Sequence, residues 1–335
     1  QNVIDKAVAE AKEADVAIVV LGGGQRTCGE NKSRSSLDLP GRQLDLLKAV
    51  SATGTPVVLV LINGRPLSVN WADKFVPAIL EAWYPGSKGG IAVADVLFGD
   101  YNPGGKLTVT FPKSVGQIPM NFPCKPSSQI DGGKNPGAEG NMSRVNGPLY
   151  AFGHGLSYTT FAYSNMKLDK EKMYDTDTLT VSVDVTNTGK MAGKEVVQLY
   201  VADKESTVIR PVKELKGFTK IELMPGETKT VTFSLSKRAF AYFNTDLHDW
   251  HVESGEFDIL IGQSSRNIVC QKTVYVESTV EVFKKYHLNT TIGDIMKDPL
   301  AKPFLKDILD ACIMNDVNTT EGEGLGAAAE EMQEA

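Results

Sequence analysis

An α/β fold followed by an all-β fold is what these 335 residues predict. Three observations carry the prediction. Strand-length apolar runs alternate with amphipathic helical stretches as far as residue 111, which is the pattern of a mostly parallel sheet covered on both faces. After Phe161 the apolar period shortens to two, as in an antiparallel β-sandwich. From Ser278 onward short helical stretches are broken at Pro299 and Pro303.

In chain order, residues 2–14 carry Val3, Ile4, Ala7, Val8 and Ala11 at helical spacing, and residues 15–21 (DVAIVVL) then form a continuous β-branched run. Leu44, Leu46, Leu47 and Val50 mark a second helix over 41–51 that Gly54 stops, before a buried strand over 56–62 (PVVLVLI). Residues 77–83 continue the alternation as a strand, 90–98 as a helix and 106–111 (KLTVTF) as a strand. Because the first element is a helix, the sheet is expected to lack a preceding strand and to be incomplete at its N-terminus. The α/β sandwich is assigned to residues 1–122. Residues 123–159, rich in Pro, Gly, Ser and Asn (SSQIDGGKNPGAEGN among them), are a linker or long loop. Alternating runs at 179–186, 195–201, 229–235, 255–262 and 268–276, split by Asn187-Thr-Gly and Pro225-Gly turns, set the β-sandwich at 160–277. Residues 278–335 are a helical extension with a fraying acidic tail.

Composition narrows the function. Hydrophobic residues at 41% and charged residues at 23% describe an ordinary globular chain. A net charge of −6 argues against a nucleic-acid or polybasic membrane partner, and no apolar run approaches the ~20 residues that span a bilayer. Cys28, Cys124, Cys270 and Cys312 lack any C-x-x-C spacing, so free or buried thiols are expected and no metal site. Asn141, Asn289 and Asn318 fit the N-glycosylation pattern, which chance often produces.

In an open α/β sheet ligands bind beyond the carboxyl ends of the strands, which singles out the loop after the first strand, GGGQRTCGENKSR at residues 22–34. Its glycines suggest a dinucleotide, but the residues that follow are polar and open no helix to hold a pyrophosphate. Glu30, beside Arg34, is either a carboxyl tuned for proton transfer or a solvated loop glutamate; residue type alone favours the solvated one. Trp83-Tyr84-Pro85-Gly86 reads as core packing before it reads as a sugar platform. Phe152-Gly-His-Gly-Leu-Ser-Tyr158 reads as interdomain packing with turn glycines, and His248 and His251 lack ligand spacing.

Nine ordered segments resemble glycoside hydrolase family 3 in the portion C-terminal to its catalytic barrel: ADVAIVVLGG, CGENKSRSSLDLPGRQ, PVVLVLINGRPL, AWYPGSKGGIAVADVLFGDYNPGGKLTVTFP, GQIP, PLYAFGHGLSYTTF, NTGKMAGKEVVQLYV, RPVKELKGF and ESGEFDILIG. The resemblance implies an α/β sandwich followed by a fibronectin type III-like domain. It also implies a retaining exo-acting β-glucosidase or β-xylosidase, secreted or periplasmic, with no cofactor. Glu30 then inherits the general acid/base role and Arg34 a substrate-binding one, while the aspartate nucleophile lies on a (βα)8-barrel absent from these residues. The expected partners are a β-linked oligosaccharide or glycoside and that barrel, with a homodimer left open; a non-catalytic carbohydrate-binding or scaffold module is the alternative. The chain alone is expected to be inactive, as a C-terminal fragment or one product of a nicked polypeptide.

Overall fold

The computed structural model describes residues 2–125 and 147–282, and then 286, 287, 289–296, 298, 301–305 and 307. Cys312, Asn141, Asn318 and the acidic tail lie outside the described residues. Two compact units divide at residue 280.

The first unit opens with helix α1 (Asn2–Lys12), strand β1 (Ala17–Gly22), α2 (Gln43–Ser51), β2 (Val57–Ile62), α3 (Asn70–Phe75), β3 (Ala78–Glu81) and α4 (Gly89–Phe98). The strands form a parallel three-stranded sheet in the order β1-β2-β3, with Ala17 opposite Val57 and Val58 opposite Ala78. Leu47 and Val50 of α2 close its inner face against Leu59 and Leu61 of β2. The other face departs from the expected two-sided cover. Val60 is sealed, but Ile18 and Val20 of edge strand β1 are 47% and 55% exposed. Helix α4 is exposed as well: its sequence, GGIAVADVLF, is apolar, yet only Gly89 is buried and Ile91 and Phe98 stand in solvent.

The expected strand over 106–111 also does not form. Its backbone groups pair with a returning segment instead of the sheet: Leu107 N–H donates to the His154 carbonyl (2.8 Å), Gly153 N–H to the Leu107 carbonyl (2.7 Å) and Leu149 N–H to the Phe111 carbonyl (2.7 Å). Only Phe111 and Tyr150 form a bridge.

The β-sandwich comprises β4 (Phe161–Leu168), β5 (Lys172–Tyr174), β6 (Leu179–Asn187), β7 (Gly193–Asp203), β8 (Glu214–Leu223), β9 (Thr228–Leu235), β10 (Tyr242–Asn244), β11 (Asp249–His251), β12 (Gly255–Gly262) and β13 (Ile268–Glu277). One sheet runs β5-β13-β12-β7-β8, the facing one β4-β6-β9, and β10-β11 is a hairpin. Alternation does the sorting: Leu179, Val181, Val183 and Val185 of β6 all point inward against Leu199, Leu223, Phe257 and Ile259. The five runs read from sequence are present as β6, β7, β9, β12 and β13; α3, β4, β5, β8 and the hairpin were not anticipated.

The α/β part and the sandwich are joined by buried polar groups. Glu195 of β7, its side chain 2% exposed, pairs with Lys106 at 3.4 Å and accepts a hydrogen bond from Tyr163 O–H at 3.0 Å. Burial pushes its carboxyl up, and Lys106 and Tyr163 pull against that. Gln198 donates to the Gly153 and Gln263 carbonyls at 3.1 and 2.8 Å. Gly153 holds φ of 80°, and a Cβ there would meet Gln198 Oε1 at 2.0 Å, so the FGHGLSY glycine is a packing requirement. Asn102 Oδ1 accepts from Ser157 Oγ and Tyr158 N–H while its Nδ2 donates to the Ala192 carbonyl.

In the second unit α5 spans Ile292–Met296, and residues 302–305 are helical.

Removing Lys106 leaves a carboxyl in the interior with Tyr163 alone. Lys106→Ala is expected to cost about 3–5 kcal/mol in chemical denaturation. Lys106→Met combined with Glu195→Gln should recover most of the loss, because no charge then stays buried. Equal midpoints for Lys106→Ala and wild type would show that the pair does not join the two parts.

Candidate active site

Because the sheet is parallel, the loops that leave β1, β2 and β3 open at one end of it. The first, Gly22 to Arg34, starts under tight constraint. Gly22 has φ of 136°, and a Cβ there would meet the Ile62 carbonyl oxygen at 2.1 Å, so β1 ends with its backbone pressed against β2. Gln43 fastens that end: Gly22 N–H donates to Gln43 Oε1 and Gln43 Nε2 donates back to the Gly22 carbonyl, both at 2.9 Å. A turn follows as the N–H groups of Thr27 and Cys28 donate to the Gly24 carbonyl. Gly29 and Asn31 both have positive φ (125° and 56°), so the chain reverses at the residue between them.

That residue is Glu30, and it is exposed. Arg34 is half-buried and donates to the Asp38 carbonyl at 3.1 Å. The two sit on one loop with no hydrogen bond or ion pair between their side chains among the described residues. Beyond them, buried Leu37 and Leu39 anchor the loop, and Ser68 N–H donates to the Leu37 carbonyl at 2.9 Å.

The loops after β2 and β3 hold the first one from below. Arg65 donates to the Lys32 carbonyl at 2.9 Å and Tyr84 O–H to the Gly23 carbonyl at 3.4 Å. Asn63, fully buried, donates through Nδ2 to the Arg65 carbonyl (2.7 Å) and to Glu81 Oε2 (3.4 Å). Glu81 Oε1 accepts from the N–H of Trp83, a residue with φ of 52°. Burial pushes the Glu81 carboxyl up to about 7, against the pull of Trp83 N–H and Asn63. Burial would also raise the Cys28 thiol, but hydrogen bonds with Tyr84, the Gly64 backbone, Thr27 and Arg65 together bring it below its ordinary value. Trp83 is half-buried, edge-on to Phe111 with ring centroids 5.7 Å apart, in keeping with a packing role. Cys28 and Cys270 are free thiols.

A glycosyl hydrolase family 3 C-terminal domain model matches residues 1–158, and a fibronectin type III-like domain model matches residues 195–265. The chain carries the C-terminal domain of glycosyl hydrolase family 3. Among its relatives, thermostable beta-glucosidase B of Acetivibrio thermocellus is 47% identical over 318 residues, covering 93% of this chain and 42% of that protein. The periplasmic beta-glucosidase of Salmonella typhimurium is 46% identical, covering 80% and 35%. The crystal structure of a Listeria innocua beta-glucosidase in complex with glucose superposes with a TM-score of 0.75 at 36% identity, over 81% of this chain and 38% of that one. The chain thus spans 34–42% of the length of curated relatives such as these. No helix among the described residues is long and apolar enough to cross a membrane.

In this family 3 chain, sequence reasoning found the loop but missed its support. Asn63, Arg65 and Tyr84 were legible in principle: they follow two other strands, whose carboxyl ends share the same side of the sheet.

Folded Glu81 holds its proton up to about pH 7, whereas the ordinary value is 4.5. Its contribution to stability is therefore fully present below 4.5 and is lost as pH rises through 7. Thermal melts at about pH 5 and about pH 8 should show Glu81→Gln gaining on wild type at the higher pH. Comparison with the variant isolates this effect from His154 and His251, which burial lowers and which act in the opposite sense. Identical pH slopes in the two proteins would assign Glu81 an ordinary carboxylate.

Proposed function

We propose that this chain is the C-terminal part of a retaining exo-β-glycosidase that hydrolyses terminal non-reducing β-D-glucosyl or β-D-xylosyl units. Glu30 is its general acid/base, and the aspartate nucleophile belongs to a barrel domain outside these residues. The observation that carries the reading is Glu30 itself, an exposed carboxyl at a chain reversal on the open end of a parallel sheet, with the loop beneath it held by Gln43, Arg65 and Tyr84.

The chemistry explains the requirement. In a retaining mechanism one carboxylate attacks the anomeric carbon while a second carboxyl, ~5–5.5 Å away, protonates the departing oxygen and then activates water as a base. A protein that presents one of the two on a loop tip can bring it against a sugar bound by the other domain. Arg34, half-buried and tied to the Asp38 carbonyl, lines the approach and binds substrate. The bare face of β1 and the apolar exposed side of α4 are the surfaces that the rest of the enzyme covers. A secreted or periplasmic location fits the periplasmic relative. No cofactor is needed.

Three measurements test this. The purified chain should release no nitrophenol from β-glucosides or β-xylosides; robust turnover would overturn the division of carboxyls. In the complete enzyme Glu30→Gln should lose about 10²–10⁴-fold on poor leaving groups and far less on activated phenols. Azide should rescue Glu30→Ala with a glycosyl azide of retained configuration. Rates within a few-fold of wild type on every substrate would return Glu30 to the role of a solvated glutamate.

A further inference from the structure

A groove of about 640 Å³ opens on the β-sandwich and shares no lining residue with the Glu30 loop. Small-molecule sites occupy roughly 300–1,000 Å³. One wall is the β10–β11 hairpin with Phe243 and Trp250; the other is the segment before β8, with Val208 and Ile209. The aromatic wall is built, not incidental. The rings of Phe243 and Trp250 meet edge to face at 5.6 Å, and the Arg238 guanidinium lies 3.0 Å over the indole, fixing it from one side. Yet Phe243 remains 50% exposed and Trp250 36% exposed.

Of the cations bordering the groove, Arg210 and Lys216 are ion-paired and Arg238 is held over the Trp250 indole. Arg210 pairs with Asp203 at 2.8 Å and Glu214 at 3.2 Å and donates to the Phe240 carbonyl, and Lys216 pairs with Glu214 at 3.2 Å. An anionic ligand would have to break those pairs or draw Arg238 off the Trp250 indole. A purely apolar one would strip water from Asn244, Asp246 and Lys216 on the lining. A pyranose avoids both costs, because its C–H face stacks on an aromatic ring while its hydroxyls meet amide, carboxylate and ammonium groups at the rim.

We propose that this groove is a second, non-catalytic sugar site that takes two or three units of a neutral β-linked oligosaccharide. The choice of β-linked gluco- or xylo-oligosaccharide rests on the glycosidase reading above; the site itself does not. It would hold a neighbouring stretch of a polymeric or branched glycan while the Glu30 site works on a terminal unit.

Calorimetry on the purified chain with cellotriose, backed by amide chemical-shift mapping, tests the proposal. Binding is expected with Kd at or below about 1 mM. Trp250→Ala and Phe243→Ala should each weaken it about tenfold or more. Glu30→Gln should leave it unchanged, so failure of the catalytic reading and failure of this one show separately. Should Trp250→Ala not fold, Phe243→Ala and Ile209→Glu, both at exposed positions, carry the test. No binding at about 10 mM cellotriose would overturn the proposal. So would binding that both alanine variants retain, or a dimer in light scattering that the variants dissociate without any sugar response, which would make the hairpin an interface between copies.

Discussion

A carboxylate inside a protein must be neutralised where it stands, and Glu195 sets that demand in the middle of β7. The lysine that meets it comes from the α/β part, so the segment carrying Lys106 has to cross to the sandwich instead of joining the parallel sheet. That path accounts for why KLTVTF, with good strand composition, forms no strand. Its backbone pairs with the returning stretch around Gly153, which can lie against Gln198 because it has no side chain. Two folds with separate cores are thereby fixed to each other through polar groups.

The same economy of backbone space governs the sheet's open end. β1 cannot continue past Gly22, since Ile62 occupies the volume a side chain would need. The loop that leaves there carries no regular structure over its first dozen residues, and its order comes from carbonyls that accept from Arg65 and Tyr84 and from the leucines that follow. A loop held in this way under a solvent-facing carboxyl supports the proposed role of Glu30 as proton donor.

Elements whose burial is one-sided or complete were readable from pattern alone: the VVLVLI run and the LTVSVDV alternation impose their periods on any reader. β8 was not, because ELKGFTKIEL interleaves a glycine and charged residues with few apolar ones, and its place comes from pairing with β7. Strand composition misled at 106–111, where a tertiary charge outweighed local preference. Glu30 stood out by its position after a strand and by family resemblance. Glu81 did not, because a glutamate after a short apolar run gives no sign that folding will enclose it beside Asn63.

One pairing has a consequence for synthesis. Strand β5 lies parallel to β13, Lys172 opposite Tyr275, and Asp175 just beyond β5 accepts from Thr279 N–H, so the sheet's edge closes only with a segment made some hundred residues later. During translation at ~5–20 residues per second β5 therefore waits several seconds without its neighbour. Val181, Val183 and Val185 emerge before β7, β12 and β13, and their facing sheet is complete only at the end of that interval. The sandwich consequently completes its sheet only after β13 has been made.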